Sequence, residues 1–395
     1  MKDFILLTDL PDLICDSRIL VVDDASKTCE AFQTILNDYG AKEVAYAIDG
    51  FDALEKLETF IPDLILIYIS SSNISWLEFC TSLRKGNEIS RSIPIIAITD
   101  MDERDERVKI LKFNVSGVLY KPIQPEELYK SLNLYLQKSR LIKRLEECEE
   151  PTPDDLEIAR NMQYTLLPDE DLLTACKENY GIGICHLYQS SQALGGDYWT
   201  VKQLENSQLM VCVADFAGHG VSVAIDTFRL HNYLMEYVNY SYSPAKILAD
   251  MNDNFYRMLP TGQYLTCFLG IIDTSKNIIT YAGAAVPPAI LINNDEAISL
   301  DCSGTPIGAY PKAEYTEQVV DFYENSVLLI HSDALVEINA DNKTLFTGDS
   351  LFQYVQKWSV DGMQTIYDGI LTRIKQTSHR FDDDLTLVLL NLTSK

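Results

Sequence analysis

The stretch QLMVCVADFAGHGV, residues 208–221, decides how the C-terminal half of this chain is read. Leu209 to Ala214 are all apolar, a run of strand length, and they lead into Asp215-Phe216-Ala217-Gly218-His219-Gly220, so a buried strand carries a carboxylate to its end and then turns. Three further segments repeat the arrangement. Ser326 to Ile330 runs into His331-Ser332-Asp333, Gly195-Gly196-Asp197 opens Tyr198-Trp199-Thr200-Val201, and Asp382-Asp383-Asp384 opens Leu385 to Leu392. Two carboxylates follow strands and two precede them. In an antiparallel sheet the end of one strand lies beside the start of its neighbour, so the four are expected to converge on one sheet edge. Like charges gathered in that way repel unless a cation joins them.

Carboxylates without a matching Cys or His set favour hard, oxygen-seeking ions, Mg²⁺ or Mn²⁺, over zinc. Two such ions about 3.5–4 Å apart can activate a water for in-line attack on phosphorus and neutralise the charge that builds on the phosphoryl oxygens. Phosphate-monoester hydrolysis, which enzymes accelerate by up to about 10²¹, requires a strong electrostatic device of this kind. Asp and Gly pairs also mark ordinary turns. Four of them in register with strand ends favour the metal site.

These residues resemble the PPM-type metal-dependent serine/threonine phosphatases, in the bacterial branch typified by sporulation and sigma-factor regulators. Glu157-Ile158-Ala159-Arg160-Asn161-Met162-Gln163, ending in Leu166-Leu167-Pro168, is similar to the helix that opens that domain. Gly195-Gly196-Asp197-Tyr198 resembles its first metal motif, and Ala214 to Val221 its most specific signature. Gly304-Thr305-Pro306-Ile307-Gly308, Ser332 to Glu337, and Asp383-Asp384-Leu385-Thr386-Leu387 complete the series in order over residues 154–394. The resemblance implies an α+β domain, an antiparallel β-sandwich flanked by helices, holding two Mn²⁺ or Mg²⁺ ions. Asp215 would bridge both ions, the Phe216 carbonyl would be a further ligand, Asp197 would hold one ion, and Asp333 and Asp383 the other, with Asp384 as a neighbour. His219 is either a general acid for the leaving seryl oxygen or a shaper of its loop. One departure stands in Tyr281 to Pro288 (YAGAAVPP), where many relatives carry a histidine after the Ala-Gly pair. It bears on substrate handling more than on metal binding.

Residues 17–137 alternate apolar strands with helical stretches, the signature of a doubly wound α/β domain with a parallel sheet. Ile19–Val22, Leu64–Tyr68, Ile93–Thr99 and Gly117–Tyr120 are the clearest strands, and ligands of such sheets bind at the strands' C-terminal ends. Asp23 and Asp24, Thr99, and Lys121-Pro122 fall there, and the domain resembles a two-component receiver. Where receivers carry the phosphoacceptor aspartate, this chain has Tyr68, and the loop that follows (Ser70 to Trp76) also departs. Losing that aspartate removes the acyl-phosphate nucleophile and a Mg²⁺ ligand, so aspartyl phosphorylation is not expected. Val118 replaces an aromatic switch residue. Tyr68 is expected to fill the vacated pocket, Asp23 and Asp24 either to hold a cation or, the favoured reading, to end a strand and open a helix near its positive dipole, and Lys121 to form a structural salt bridge with them, with Pro122 in a cis turn.

The 395 residues divide into a leader (1–16), the receiver-like domain (17–137), a helical linker (138–153) and the phosphatase-like domain (154–395). In the linker region, Leu134, Leu136, Leu141, Ile142 and Leu145 mix with basic residues over about two heptads, a candidate dimerisation helix. Pro151 and Pro153 then break it, and the next helix is expected near Leu156. Asp250, Asn252 and Asp253 lie on a helix and are expected to face solvent. The nine cysteines fall singly, with no Cys-x-x-Cys, which suits a reducing cytosol. The N-terminus is too acidic and its apolar core too short for a signal peptide, and no apolar run reaches the roughly 18 residues of a membrane span. A net charge of −26 opposes nucleic-acid and anionic-membrane partners.

The expectation is therefore a cytoplasmic, metal-dependent serine/threonine phosphatase whose receiver is not phosphorylated. The resemblance implies a phosphorylated STAS-type anti-anti-sigma protein as substrate in a partner-switching pathway. The receiver would act through an upstream binding partner, dimerisation or a fixed contact. The contrasting reading is a silent adaptor that uses both domains for protein binding.

Overall fold

Stretches of four to nine residues form the strands, and how many of their faces are covered decides how continuously apolar each one is. The computed structural model describes residues 13–23, 26–69, 75–85, 93–99, 115–147, 152–218, 221–238, 243–260, 262–294, 296–336, 345–358, 361–376 and 383–393. The chain divides into two compact units, residues 1–155 with 232–240, and residues 156–231 with 241–395.

In the first unit, β1 (Arg18–Val22), β2 (Glu43–Ala47), β3 (Leu64–Ile69), β4 (Ile95–Thr99) and β5 (Gly117–Tyr120) form a parallel sheet in the order β2-β1-β3-β4-β5. Its central strands are buried along nearly their whole length, as strands covered on both faces must be. Helices α1 (Ser26–Asp38), α2 (Gly50–Leu57), α3 (Ser75–Lys85) and α4 (Pro125–Glu147) supply the cover. Trp76 and Phe79 pack on one face, and Phe32, Leu128, Leu132 and Leu136 on the other. Asp49 starts α2 by accepting the Phe51 and Asp52 N–H groups at 2.9 and 2.8 Å. The expected linker begins inside α4, which runs without a break to Glu147. Part of the expected leader is ordered on the same helix. Leu13 N–H donates to Asn133 Oδ1 (3.0 Å), Arg140 Nη2 donates to Ser17 Oγ (3.2 Å), and Ile14 is buried.

The second unit holds two five-stranded antiparallel sheets. The first contains β7 (Asp197–Gln203), β8 (Gln208–Phe216), β9 (Leu265–Asp273), β10 (Ile278–Ala284) and β13 (Gln318–Asp321), ordered β13-β10-β9-β8-β7. The second contains β6 (Ile182–Gln189), β11 (Ala289–Asn293), β12 (Glu296–Leu300), β14 (Val327–His331) and β15 (Leu385–Leu392), ordered β12-β11-β14-β15-β6. Trp199, Phe268 and Tyr281 of one sheet and Leu328, Val388 and Leu390 of the other share the central core. Alternate residues of β14 and β15 pack outward on helices α9 (Gly348–Lys357) and α10 (Gly362–Gln376), so the second sheet is apolar on both sides. Helices α5 (Pro153–Tyr164), α6 (Glu170–Tyr180), α7 (Val221–Tyr237) and α8 (Pro244–Met258) complete the order. Helix α5 begins at Pro153, ahead of the expected Leu156, because proline is tolerated in a helix's first turn.

Asn252 overturns an expectation. It is fully buried on α8, where its amide donates to the Tyr310 carbonyl (2.9 Å) and its carbonyl accepts from Gly308 N–H (2.9 Å). Its spacing from Leu248, Met251 and Phe255 puts it on the apolar face, and these bonds satisfy it there. Asp250 pairs with Lys246 at 3.4 Å.

Candidate metal centre

Asp197 is the first residue of β7 and stands directly opposite Asp215, one residue from the end of β8. Phe216 N–H donates to the Gly196 carbonyl (3.3 Å), which ties the two strand ends together. A Cβ on Gly196 would lie 2.9 Å from Val223 Cγ1 and 3.0 Å from the Phe216 carbonyl oxygen, so the close approach requires glycine. Asp333 opens the short turn Asp333–Leu335 after β14, and Asp383 and Asp384 immediately precede β15. The carboxylates therefore come from matched ends of two facing sheets, not from one sheet edge as expected. Apolar runs show where strands start and stop; they carry no mark of which strands share a sheet.

The two opposed carboxyls hold their protons strongly. Burial, then the Asp215 charge, raises Asp197 well above the usual carboxylate range. Burial, followed by the charges of Asp333, Asp383 and Asp384, pushes Asp215 to about 8. Asp197 is 1% exposed; its Oδ2 accepts from Thr386 Oγ1 at 2.5 Å, and its Oδ1 is buried with no hydrogen-bond partner among the described residues. No three His, Cys, Asp or Glu side chains among the described residues converge as ligands of one ion, so the cluster is open. Its chemistry fits a hard divalent cation: all-oxygen donors, one of them buried and unsatisfied, in a site where ionisation is costly without positive charge.

Asp384 is engaged with the main chain. Its Oδ1 accepts from Ser191 N–H (2.7 Å), and its Oδ2 from Gly196 N–H (2.5 Å) and Asp197 N–H (3.5 Å). It anchors the loop that presents Asp197. Gln163, part of a sequence motif but given no role there, holds the other side of that loop. Its Nε2 donates to the Gly195 carbonyl (2.6 Å) and to Thr227 Oγ1 (3.2 Å), while its Oε1 accepts from Gly195 N–H (3.1 Å). The signal available in sequence was a glutamine on the face of α5 that buries Ala159 and Met162. The Tyr188 hydroxyl is also buried in this neighbourhood, and burial, then Asp197 and Asp384, keeps its proton on. His219 and Asp382 lie outside the described residues. In the departing segment Ala285 takes a φ of 56° and Val286 is buried.

In the first unit, Asp23, Tyr68, Thr99 and Lys121 all reach the C-terminal edge of the parallel sheet. Lys121 was expected to form a salt bridge with the acidic pair; its Nζ lies 3.6 Å from the centre of the Tyr68 ring. Thr99 Oγ1 donates to the Ile69 carbonyl (3.1 Å), and the Lys121–Pro122 bond is cis. Asp24 and residues 70–74 lie outside the described residues.

Comparison with known proteins agrees with this division. Residues 19–133 match the response regulator receiver domain family, and residues 205–393 match the Stage II sporulation protein E (SpoIIE) family. The second match begins beyond Asp197, whose assignment rests on geometry. The phosphoserine phosphatase RsbP of Bacillus subtilis is 24% identical over 247 residues, 60% of this chain and 58% of that protein. The alkaline phosphatase synthesis transcriptional regulatory protein PhoP of B. subtilis is 31% identical over 126 residues, 32% of this chain and 51% of its own. This chain thus spans between half and two thirds of these relatives' lengths. Among solved structures, the SiaA-PP2C domain of Pseudomonas aeruginosa superposes with a TM-score of 0.52 at 20% identity, covering 60% of this chain and 96% of that one, which shows the shared fold. Among the described residues no helix is long and apolar enough to cross a membrane.

Proposed function

We propose that this chain, which joins a response regulator receiver domain to a SpoIIE-type PPM domain, is a metal-dependent protein serine/threonine phosphatase. The observation that carries the reading is the facing pair Asp197 and Asp215, the first buried with one oxygen left unsatisfied and the second half-buried. A fold has no physical reason to keep two such carboxyls opposed at a strand end unless a cation completes them. In the proposed site the carboxylates of Asp215, Asp197, Asp333 and Asp383 and the Phe216 carbonyl would hold two ions, Mn²⁺ or Mg²⁺. The ions would supply a nucleophilic water at neutral pH and neutralise charge on the phosphoryl oxygens. Asp384 and Gln163 fix the loop that carries Asp197, and His219 is the proposed proton donor to the leaving seryl oxygen.

The substrate we propose is phosphoserine on a protein, and more narrowly a STAS-type anti-anti-sigma protein in a partner-switching pathway of the cytoplasm. Similarity to a phosphoserine phosphatase supports the first part. The receiver is proposed to regulate through a binding partner or through homodimerisation along α4 and not through aspartyl phosphate, because Tyr68 occupies the acceptor position and its ring carries Lys121. Mn²⁺-dependent hydrolysis of p-nitrophenyl phosphate and of a phosphoserine STAS protein by the full chain tests the reading. Activity on both is expected. Binding of the STAS protein with no turnover of either substrate in Mn²⁺ would replace the enzyme with the adaptor.

A further inference from the structure

Two hydroxyl side chains meet at the candidate metal centre, and neither is exposed. Thr386 is fully buried on β15 between Leu385 and Leu387, and Ser332 is 1% exposed just after β14. On a strand lined by leucines, a buried hydroxyl costs desolvation unless it is bonded, and valine would fill the same space without that cost. Both hydroxyls are bonded, Ser332 to the main chain of β15 and of the residue before it, and Thr386 to a carboxylate. Thr386 N–H donates to Ser332 Oγ (2.9 Å), Ser332 Oγ donates to the Asp384 carbonyl (3.2 Å), and Ser332 N–H donates to the Thr386 carbonyl (2.9 Å). Thr386 Oγ1 then spans from the second sheet to the first, giving its one proton to Asp197 Oδ2 at 2.5 Å.

That bond fixes more than one atom. With Oδ2 held from one sheet and the backbone of Asp197 held in the ladder of the other, the carboxylate has little rotational freedom left, and Oδ1 is the oxygen without a hydrogen-bond partner among the described residues. We propose that Thr386 is a positioning residue. It latches Asp197 across the sandwich so that Oδ1 is presented to a divalent cation, while Ser332 holds the Thr386 backbone in place. This rests on the metal-dependent reading of the site. A hydroxyl latch suits the task because it donates to the ionised carboxylate, orients it, and adds no charge to compete with the ion.

The test is calorimetric titration of Mn²⁺ into the full-length chain, comparing wild type, Thr386→Val, Thr386→Ser and Asp215→Asn, with thermal midpoints measured in chelator. Outer partners of metal ligands typically contribute about 10–100-fold in affinity, so Thr386→Val is expected to bind Mn²⁺ about 10–100-fold more weakly. Thr386→Ser, which keeps the hydroxyl, should return close to wild type. Activity should follow as a higher half-saturating Mn²⁺ concentration, with a smaller change in kcat at saturation. If Thr386→Val does not fold, Ser332→Ala is read the same way and is expected to weaken binding less. A variant that lowers the midpoint in chelator but binds Mn²⁺ as wild type does would overturn the latch and leave the metal reading standing. Wild type that binds no Mn²⁺ would remove both.

Discussion

Asp197 and Asp215 face each other across the β7–β8 ladder. Burial and then the Asp215 charge raise the proton affinity of Asp197, while burial and then the charges of Asp333, Asp383 and Asp384 raise that of Asp215. Proton and metal therefore compete for the same oxygens. Asp215, the more accessible of the pair, is held near 8, so Mn²⁺ affinity should rise as pH increases toward about 8 and level off above it. The metal-free protein should respond in the opposite sense. A carboxyl whose folded pKa lies above its unfolded value contributes stability at low pH and loses it as pH rises through that window, so the thermal midpoint in chelator should fall between about pH 4 and pH 8. Midpoints measured across that range, with and without Mn²⁺, check both signs.

Gln163 makes three hydrogen bonds to the loop before Asp197 and to α7. Leucine would fill the space but leave the Gly195 N–H and carbonyl without their partner, at about 1–3 kcal/mol for each group. Gln163→Leu should lower both the thermal midpoint and Mn²⁺-dependent activity. An unchanged Mn²⁺ affinity and rate would show that the loop is held by Asp384 alone.

Gly196→Ala places a methyl group against Val223 and the Phe216 carbonyl, the carbonyl proposed as a ligand. The strand ends must separate to admit it. Mn²⁺ binding should weaken by about tenfold or more, since outer contacts of metal ligands are worth that much. Titration of the variant reads it directly.

In the receiver unit, the Lys121 ammonium over the Tyr68 ring should contribute about 0.5–2 kcal/mol. Tyr68→Leu removes the ring face and should lower denaturant stability by about that amount. Incubation with acetyl phosphate should leave the mass and the phosphatase rate of the wild-type protein unchanged. A stable phosphoryl adduct on the receiver would contradict the proposed mode of regulation.

Strand placement was legible in the residues wherever apolar runs ended in turn chemistry: β15 spans Leu385–Leu392 as read, and β8 extends the read Gln208–Ala214 by only Asp215 and Phe216. The side chains that the site shares across elements were less legible. Asn252 was expected on the solvent face from its polarity, yet helical spacing put it with Met251 and Phe255, and its partners lie more than fifty residues away. Thr386 looked like a strand residue, and its bond to Asp197 spans 189 positions. The Lys121 contact with Tyr68 requires knowing that β3 and β5 end at the same sheet edge with only β4 between them. Local patterns report a residue's own element; partners at long range become visible only when the sheets are assembled.

The most direct test of the account is Mn²⁺-dependent hydrolysis of p-nitrophenyl phosphate by the full-length chain beside Asp215→Asn. The wild type should be active in Mn²⁺ and silent in chelator. The variant, which keeps the shape of Asp215 but loses its charge, should fall by about 10²-fold or more, as expected when several kcal/mol of metal-borne stabilisation is lost. Equal rates in the two proteins, or activity that survives chelator, would contradict a metal centre built on Asp197 and Asp215.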